Sequence, residues 1–536
     1  MGTRLGVIYT FGILCIFLLI ASIALLVTNV FLTVVQNYVK KEVQLRNDTV
    51  TFETWKNPPP PIYMQFYFFN VTNPTEVLNG GKPYLEEKGP YTYREYKPKE
   101  NVTFLDDGEM VSALTSKTYI FVPELSKGNP TTDLIRTVNI PVVTIMNMAK
   151  FSSSYILLAE ALFTFKGAGL FTTRTVHELL WGYKDPVLSG IHFFKRDVDD
   201  YFGLYYKMNG TNDGEYVFLT GQENYKNFTR IVEWRGNNSL DWWTTDTCNM
   251  INGTDGTSFH PLVTKNDTLL FFSSDLCRSL YTTFEQELGV KGIRVFRFVL
   301  PNEVFANATV NPENAGFCVP VGNCLGSGVL NVSACRQGAP IILSSPHFYQ
   351  ADQKFIDAIE GMHPDKANHE TFLDINPLTG LLVRAAKRVQ VNVYIEKIKG
   401  FMQTGDVQTL VFPVMYLNES VLIDNTSAAK LYSMLMLSEA VTLIPFMIMG
   451  LAILFGLIFI ILVCTNRNMA IEEKDNVVEE NAETQAIRID GIEERIIEFI
   501  KQSDFKIKWK RARLFLNQFC NKENHSRHQR QKEHPC

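Results

Sequence analysis

The sequence predicts an α+β membrane protein: a large, mainly antiparallel, barrel-like β ectodomain with helical insertions, anchored by two transmembrane helices. Three observations lead there. Two long charge-free stretches stand near the ends of the 536 residues. Twelve N-x-[ST] triplets fall between them. Short runs rich in aromatic and β-branched residues recur through the same interval. Apolar residues make up 46%, and 51 Lys+Arg face 56 Asp+Glu, a net charge of −5. That balance excludes a disordered, collagenous or low-complexity chain and argues against a nucleic-acid partner.

Residues 1–4 precede the first stretch, Leu5 to Val27, which stays apolar to Val35 before Lys40 and Lys41. A bilayer core of about 30 Å takes ~20 helical residues, so residues 5–27 can span it. A secretory signal has an apolar region of only ~7–15 residues. Ser22-Ile23-Ala24 is a weak cleavage site, and apolar sequence continues past it. An uncleaved signal-anchor is therefore expected. The second stretch, Ala440 to Cys464, is bracketed by Glu439 and Arg467. A buried soluble helix rarely runs so long without a charge. Pro445 is expected in the first turns of this helix, where proline is tolerated best.

Two spans put both termini on one side. The triplets open at Asn47, Asn70, Asn101, Asn209, Asn227, Asn237, Asn252, Asn266, Asn307, Asn331, Asn418 and Asn425. One is noise, but this many in one segment fit a glycosylated lumenal or extracellular domain over residues 28–439. Asn524 lies in the tail, residues 465–536, and is expected to stay unmodified. The tail carries 14 Lys+Arg and 13 acidic residues. This fits a cytoplasmic place only weakly.

Five of the nine cysteines lie in the ectodomain: Cys248, Cys277, Cys318, Cys324 and Cys335. In an oxidising lumen they suggest two bridges and one leftover thiol, with several pairings open. Zinc is the competing reading, but no Cys/His group has ligand spacing.

Strand signals are clearest at 389–395, where Val389, Val391, Val393 and Ile395 alternate with Gln390, Asn392 and Tyr394. That period of two predicts a half-buried strand. Residues 62–71 and 409–417 also read as strands, and Asn212-Asp213-Gly214 as a turn. Helical spacing appears from Phe151 to Lys166. Phe151, Tyr155, Leu158, Leu162 and Phe165 form one strip, and Ile156 and Phe163 a second on its flank. Ser153, Glu160 and Thr164 make a polar back. Packing both strips inside is the commoner use of such a helix; the alternative offers one strip to a partner or membrane.

Catalytic signatures are missing. In HELLW the second histidine of a zinc-protease helix is replaced by Trp181, and no G-x-S-x-G, P-loop or G-x-G-x-x-G occurs. No catalytic or metal-binding residue is expected, and no cofactor. His363, Asp365 and His369 crowd together in GMHPDKANHE, but read as solvated loop residues.

Longer strings carry a resemblance. GPYTYRE (89–95), ELLWGYKD (178–185), GFCVPVGNCLGSGVLNVSAC (316–335), PHFYQAD (346–352) and EGMHPDKANHETFLDINPLTG (360–380) resemble the class B scavenger receptors. They are most similar to that family's lysosomal integral membrane protein type 2 branch. The resemblance spans roughly residues 5–464 and implies a β-barrel topped by an apical helical bundle, here about residues 144–185. It implies bridges Cys277–Cys335 and Cys318–Cys324, leaving Cys248 as a free thiol. Closing the longer loop is typically worth ~2–4 kcal/mol. It also implies a tunnel carrying lipids such as sterols or phospholipids, and an apex that binds the acid hydrolase β-glucocerebrosidase and escorts it to lysosomes. Oligomers are compatible with this layout.

Two departures matter. The branch's apex helix carries a histidine that helps release cargo in acid; Ser152 stands at the aligned position. Its acidic-dileucine sorting signal is replaced by Ala486-Ile487, with Ile496-Ile497 after Glu493 and Glu494 as an imperfect substitute. Lys506 to Phe515 is basic enough to meet an anionic membrane leaflet. A lysosomal or late endosomal membrane receptor is expected. The alternative is a plasma-membrane receptor for lipids or lipoproteins.

Overall fold

The computed structural model describes residues 2–320, 322 and 324–486. The substitute signal, the basic stretch and Asn524 lie outside the described residues. The chain divides into two compact units, one drawn from its two ends and one covering Val34–Ser438.

The first unit is helical. Gly2–Val27 is one helix, which ends where Asn29 takes a φ of 49°. The second helix, Asn425–Ala486, enters this unit at Glu439. Arg4–Val27 and Asn425–Glu472 are each long and apolar enough to cross a membrane. Within the unit the two lie side by side. Phe11 and Phe455 rings stand 5.6 Å apart. A Cβ on Gly12 would come within 3.0 Å of the Phe459 ring, and one on Gly456 within 3.1 Å of Cys15 Sγ. Small residues allow this close approach. Pro445 departs from expectation. The helix begins at Asn425, so the proline sits in its interior and removes one N–H from the helical ladder.

The second unit is built on one antiparallel sheet of fourteen strands. Its main path runs Ile231–Trp234, Thr211–Leu219, Met110–Phe121, Leu85–Tyr96, Ile62–Val71, Leu410–Leu422, Leu382–Ile395, Phe372–Ile375, Ile293–Val299, Arg278–Val290, Leu269–Ser273. The edges nearly meet. Ile231 N–H donates to the Gly253 carbonyl at 2.8 Å, and Thr254 pairs with Phe271. A two-residue splice thus covers both exposed edges and brings the sheet close to a barrel. Ile62–Val71 alternates buried and half-buried residues until a bulge at Phe66–Phe68. Phe66, Phe68 and Phe69 are fully buried there.

Two sequence expectations are corrected. In Leu382–Ile395 Val393 and Ile395 are buried as the alternation implies, but Val389 and Val391 are only half-buried, and the polar Gln390 and Asn392 are fully buried. The cause is cover on both faces of this strand. Asn392 Nδ2 donates to the Ile342 carbonyl and to Ser344 Oγ, both at 3.0 Å, and Gln390 Nε2 donates to Asn392 Oδ1 at 2.7 Å. Polar residues go inside when every group finds a partner. Residues 212–214 are not a free turn but belong to strand Thr211–Leu219, where Asn212 Oδ1 accepts the Gly214 N–H beside a register shift.

Cys277 is bonded to Cys335 and Cys318 to Cys324, while Cys248 is a buried thiol. The fully buried Asp374 carboxylate is gripped by Arg297 at 2.7 and 2.8 Å and by Arg384 at 2.7 Å.

Candidate functional site: a helical cluster and a barrel cavity

Three helices, Ile140–Ala149, Ser153–Lys166 and Pro186–Phe194, pack on one another. Local sequence sets their ends. Asn139 Oδ1 accepts the Val142 N–H, with Pro141 in the first turn. Asp185 accepts N–H bonds from Val187 and Leu188 at 2.9 Å, with Pro186 at the first position. Gly167 ends the middle helix in the left-handed region at φ 63°. Helix contact is close at Gly190, where a Cβ would stand 2.7 Å from Leu162 Cδ1. The cluster is larger than the sequence suggested, running from Ile140 to Phe194.

The middle helix is split lengthwise. Phe163 is fully buried, its ring 5.8 Å from Phe401, and Ile156 closes on Gly400. The other strip faces solvent: Phe165 is 82% exposed, Leu158 69% and Tyr155 64%, and Phe151, expected on the helix, stands 85% exposed in the turn just before it, because the helix starts only at Ser153. Leu162 is half-buried. Glu160, expected on a polar back, is half-buried and accepts from Gln403 at 3.4 Å. Sequence reading missed Leu157 and the exposed pair Phe193 and Phe194. Adjacent aromatics just before Lys195-Arg196 were the available signal. Lys150 beside the strip pairs with Glu396 at 2.8 Å. Ser152 stands at the N-cap position without a side-chain capping bond, and no histidine lies within the helix. The short helix Val176–Trp181, also unforeseen, is started by a capping box in which Thr175 and Glu178 satisfy each other's backbone N–H.

The sheet borders a hollow open to solvent, with about 890 Å³ of empty space that includes the solvent at its mouth. Met64, Phe271, Leu276, Leu280, Leu300 and Phe305 make its walls apolar. Asp275, Glu370, Lys387, Arg388 and Glu419 add charge. Burial opposes the Glu419 carboxylate, but Lys97 at 2.6 Å outweighs it and lowers its pKa. Lys97 also reaches Glu95 at 3.2 Å. Asp275 is drawn below the carboxylate range chiefly by Lys117, 3.6 Å away. Tyr205 lines this cavity and also a second one of about 810 Å³ bordered by Tyr93, Tyr119, His177 and Trp181. A hollow with apolar walls on one part and charged groups on another is suited to an amphipathic molecule.

Of the residues that crowd together in sequence, His363 and Asp365 are exposed, but His369 is buried against His347. The solvated reading fails for His369, because residues 360–369 fold back onto the sheet. Among the described residues, no group of three or more His, Cys, Asp or Glu is arranged to hold a metal ion. Of the sequons, Asn47, Asn101, Asn209, Asn237, Asn266 and Asn425 are exposed. Asn70, Asn227, Asn252, Asn307, Asn331 and Asn418 are half-buried.

The CD36 family matches residues 13–463. Lysosome membrane protein 2 of Rattus norvegicus is 57% identical over 456 residues, covering 85% of this chain and 95% of the relative. The Homo sapiens protein of the same name is 55% identical over 458 residues, with the same coverage. Scavenger receptor class B member 1 of Mus musculus is 37% identical over 429 residues, covering 79% of this chain and 83% of that relative.

Proposed function

Because this chain belongs to the CD36 family, and so is a scavenger-type membrane receptor rather than an enzyme, we propose that it serves the lysosomal or late endosomal membrane in two ways. The exposed strip of helix Ser153–Lys166 docks an acid hydrolase of β-glucocerebrosidase type for delivery. The barrel cavity takes up a sterol or phospholipid and passes it toward the bilayer. Both termini lie in the cytoplasm in this reading, and the sequons are glycosylated, the exposed ones most fully.

The observation that carries the docking role is the split helix. One strip is locked in the core, while Phe151, Tyr155, Leu158 and Phe165 remain in water. Large apolar side chains left together on a surface mark an interaction site. The lipid role rests on the apolar part of the hollow, Met64, Phe271, Leu276, Leu280, Leu300 and Phe305. Each CH₂ held against such a wall and away from water saves about 0.8 kcal/mol, which lowers the barrier to moving an acyl chain or sterol. The missing apex histidine argues that release in acid, if shared, uses another group.

Binding of β-glucocerebrosidase to the detergent-solubilised chain near neutral pH tests the escort role; no binding removes it. The degraded Ala486-Ile487 signal favours a second reading, a plasma-membrane lipid or lipoprotein receptor. Surface residence of the tagged chain without lysosomal overlap would establish that one instead.

A further inference from the structure

His347 and His369 stack ring on ring, with centroids 4.5 Å apart and planes 13° from parallel. Both are buried. They come from separate pieces of chain, the turn Pro346–Phe348 and the short helix Lys366–His369. Each Nδ1 accepts a backbone N–H from the same strap. His363 N–H reaches His347 Nδ1 at 3.0 Å, and Asp365 N–H reaches His369 Nδ1 at 2.9 Å. A ring nitrogen that accepts carries no proton. His347 Nε2 is then the donor to the Glu87 carboxylate at 2.8 Å. Each ring keeps its strap N–H only while its Nδ1 stays bare.

The surroundings favour that state. The charged and titratable groups facing the pair are Glu87, Asp365, Arg388, Tyr67 and Tyr416. Glu87 offers one carboxylate, bonded to one ring, and Arg388 adds positive charge. Burial first, and the neighbouring His347 second, push His369 down to about 4. A proton on either Nδ1 removes the acceptor of a strap N–H. A second proton sets two like charges face to face. The consequence reaches the cavity, because Glu370 and Thr371 follow His369 directly and line its wall. Arg388 Nη1 donates to the Glu370 carbonyl at 2.5 Å, and Gln390 Oε1 accepts the His347 N–H at 2.7 Å. Strap, histidines and cavity wall therefore form one connected assembly.

We propose that His347 and His369 are an acid-sensitive latch on residues 360–371, and that charging the stacked pair releases this strap and opens the cavity wall at Glu370 and Thr371. The regulatory part rests on the lipid-carrying reading of the cavity, whereas the latch itself does not.

The test is hydrogen exchange on the full chain in nanodiscs, corrected for the intrinsic pH dependence of exchange. Protection of the 360–371 amides is expected to fall about tenfold between about pH 7 and pH 5. In the double variant His347→Asn/His369→Asn it should stay level, because the Asn carbonyl supplies an acceptor that cannot charge. At position 347 the φ of 52° also suits Asn. Equal protection at both pH values in the wild type, or the same fall in the double variant, would overturn the latch. Should the double variant not fold, Glu87→Gln decides. It withdraws a carboxylate whose charge raises the His369 pKa, so the fall must move to lower pH, and an unmoved midpoint refutes the proposal. A second arm follows dehydroergosterol exchange, expected to quicken in acid only in the wild type. Sterol binding that is equally fast at both pH values overturns the regulatory claim. No sterol binding at any pH contradicts the lipid reading, while hydrogen exchange still decides the latch.

Discussion

Helix Ser153–Lys166 and strand Leu382–Ile395 break the ordinary rule of burial in opposite directions. The helix and the turn before it leave Phe151, Tyr155, Leu158 and Phe165 in water, and the strand hides Gln390 and Asn392 from it. The buried amides are bonded to Ile342, Ser344 and His347, so the strand is complete as it stands. Lys150 and Lys166 stand over the Phe151 and Phe165 rings at 5.3 and 5.4 Å, yet these rings stay largely in water, so the helix is not. Satisfied polar groups in a core mark scaffold, whereas uncovered apolar groups on a surface mark a place for something else.

The contrast can be broken by substitution. Phe163→Ala, on the buried strip, should cost ~3–5 kcal/mol of stability, read as a lower melting temperature. Asn392→Leu strands several buried partners and should cost about 1–3 kcal/mol, measured the same way. Phe151→Ser with Leu158→Ser should change stability by no more than about 0.5 kcal/mol, yet weaken hydrolase binding by about tenfold or more. A large stability loss from that exposed pair would erase the distinction between the two strips.

Acid sharpens a further difference. Burial works against the Asp255 carboxylate, but Lys99 at 2.9 Å and Thr257 outweigh it and hold its pKa well below the usual range. Its contribution is full above the ordinary carboxylate pKa and fades only as pH falls through the depressed value. Endolysosomal pH therefore leaves it intact. His369 behaves differently. Its neutral form is favoured by the fold, so its contribution is full above about 6.5 and is lost as pH falls toward about 4. Melting temperature should decline by a few degrees across that window and less in His369→Asn. An identical decline in the variant would show that other groups dominate.

What could be read from residues alone follows from the range of the forces involved. Strand Ile62–Val71 and helix Ser153–Lys166 announce themselves through local periodicity. Helix Ile140–Ala149 is apolar on nearly every side and gives no periodic contrast. The inversion at Gln390 and Asn392 depends on the neighbouring strand Ile341–Ser344, which local pattern cannot report. The stacking of His347 on His369 likewise joins residues far apart in the chain. Thr175 and Glu178 stood in the sequence as a capping signal and were overlooked. The family strings carried the site's general nature, and the geometry separated the strip that faces water from the strip that does not.

The most direct test compares those two strips in one assay: β-glucocerebrosidase binding near neutral pH to the wild-type chain and to Phe151→Ser/Leu158→Ser, each with its melting temperature. The split-helix account predicts saturable binding by the wild type and a loss of about tenfold or more in the variant at unchanged melting temperature. Equal binding by both proteins, or none by the wild type, would contradict it.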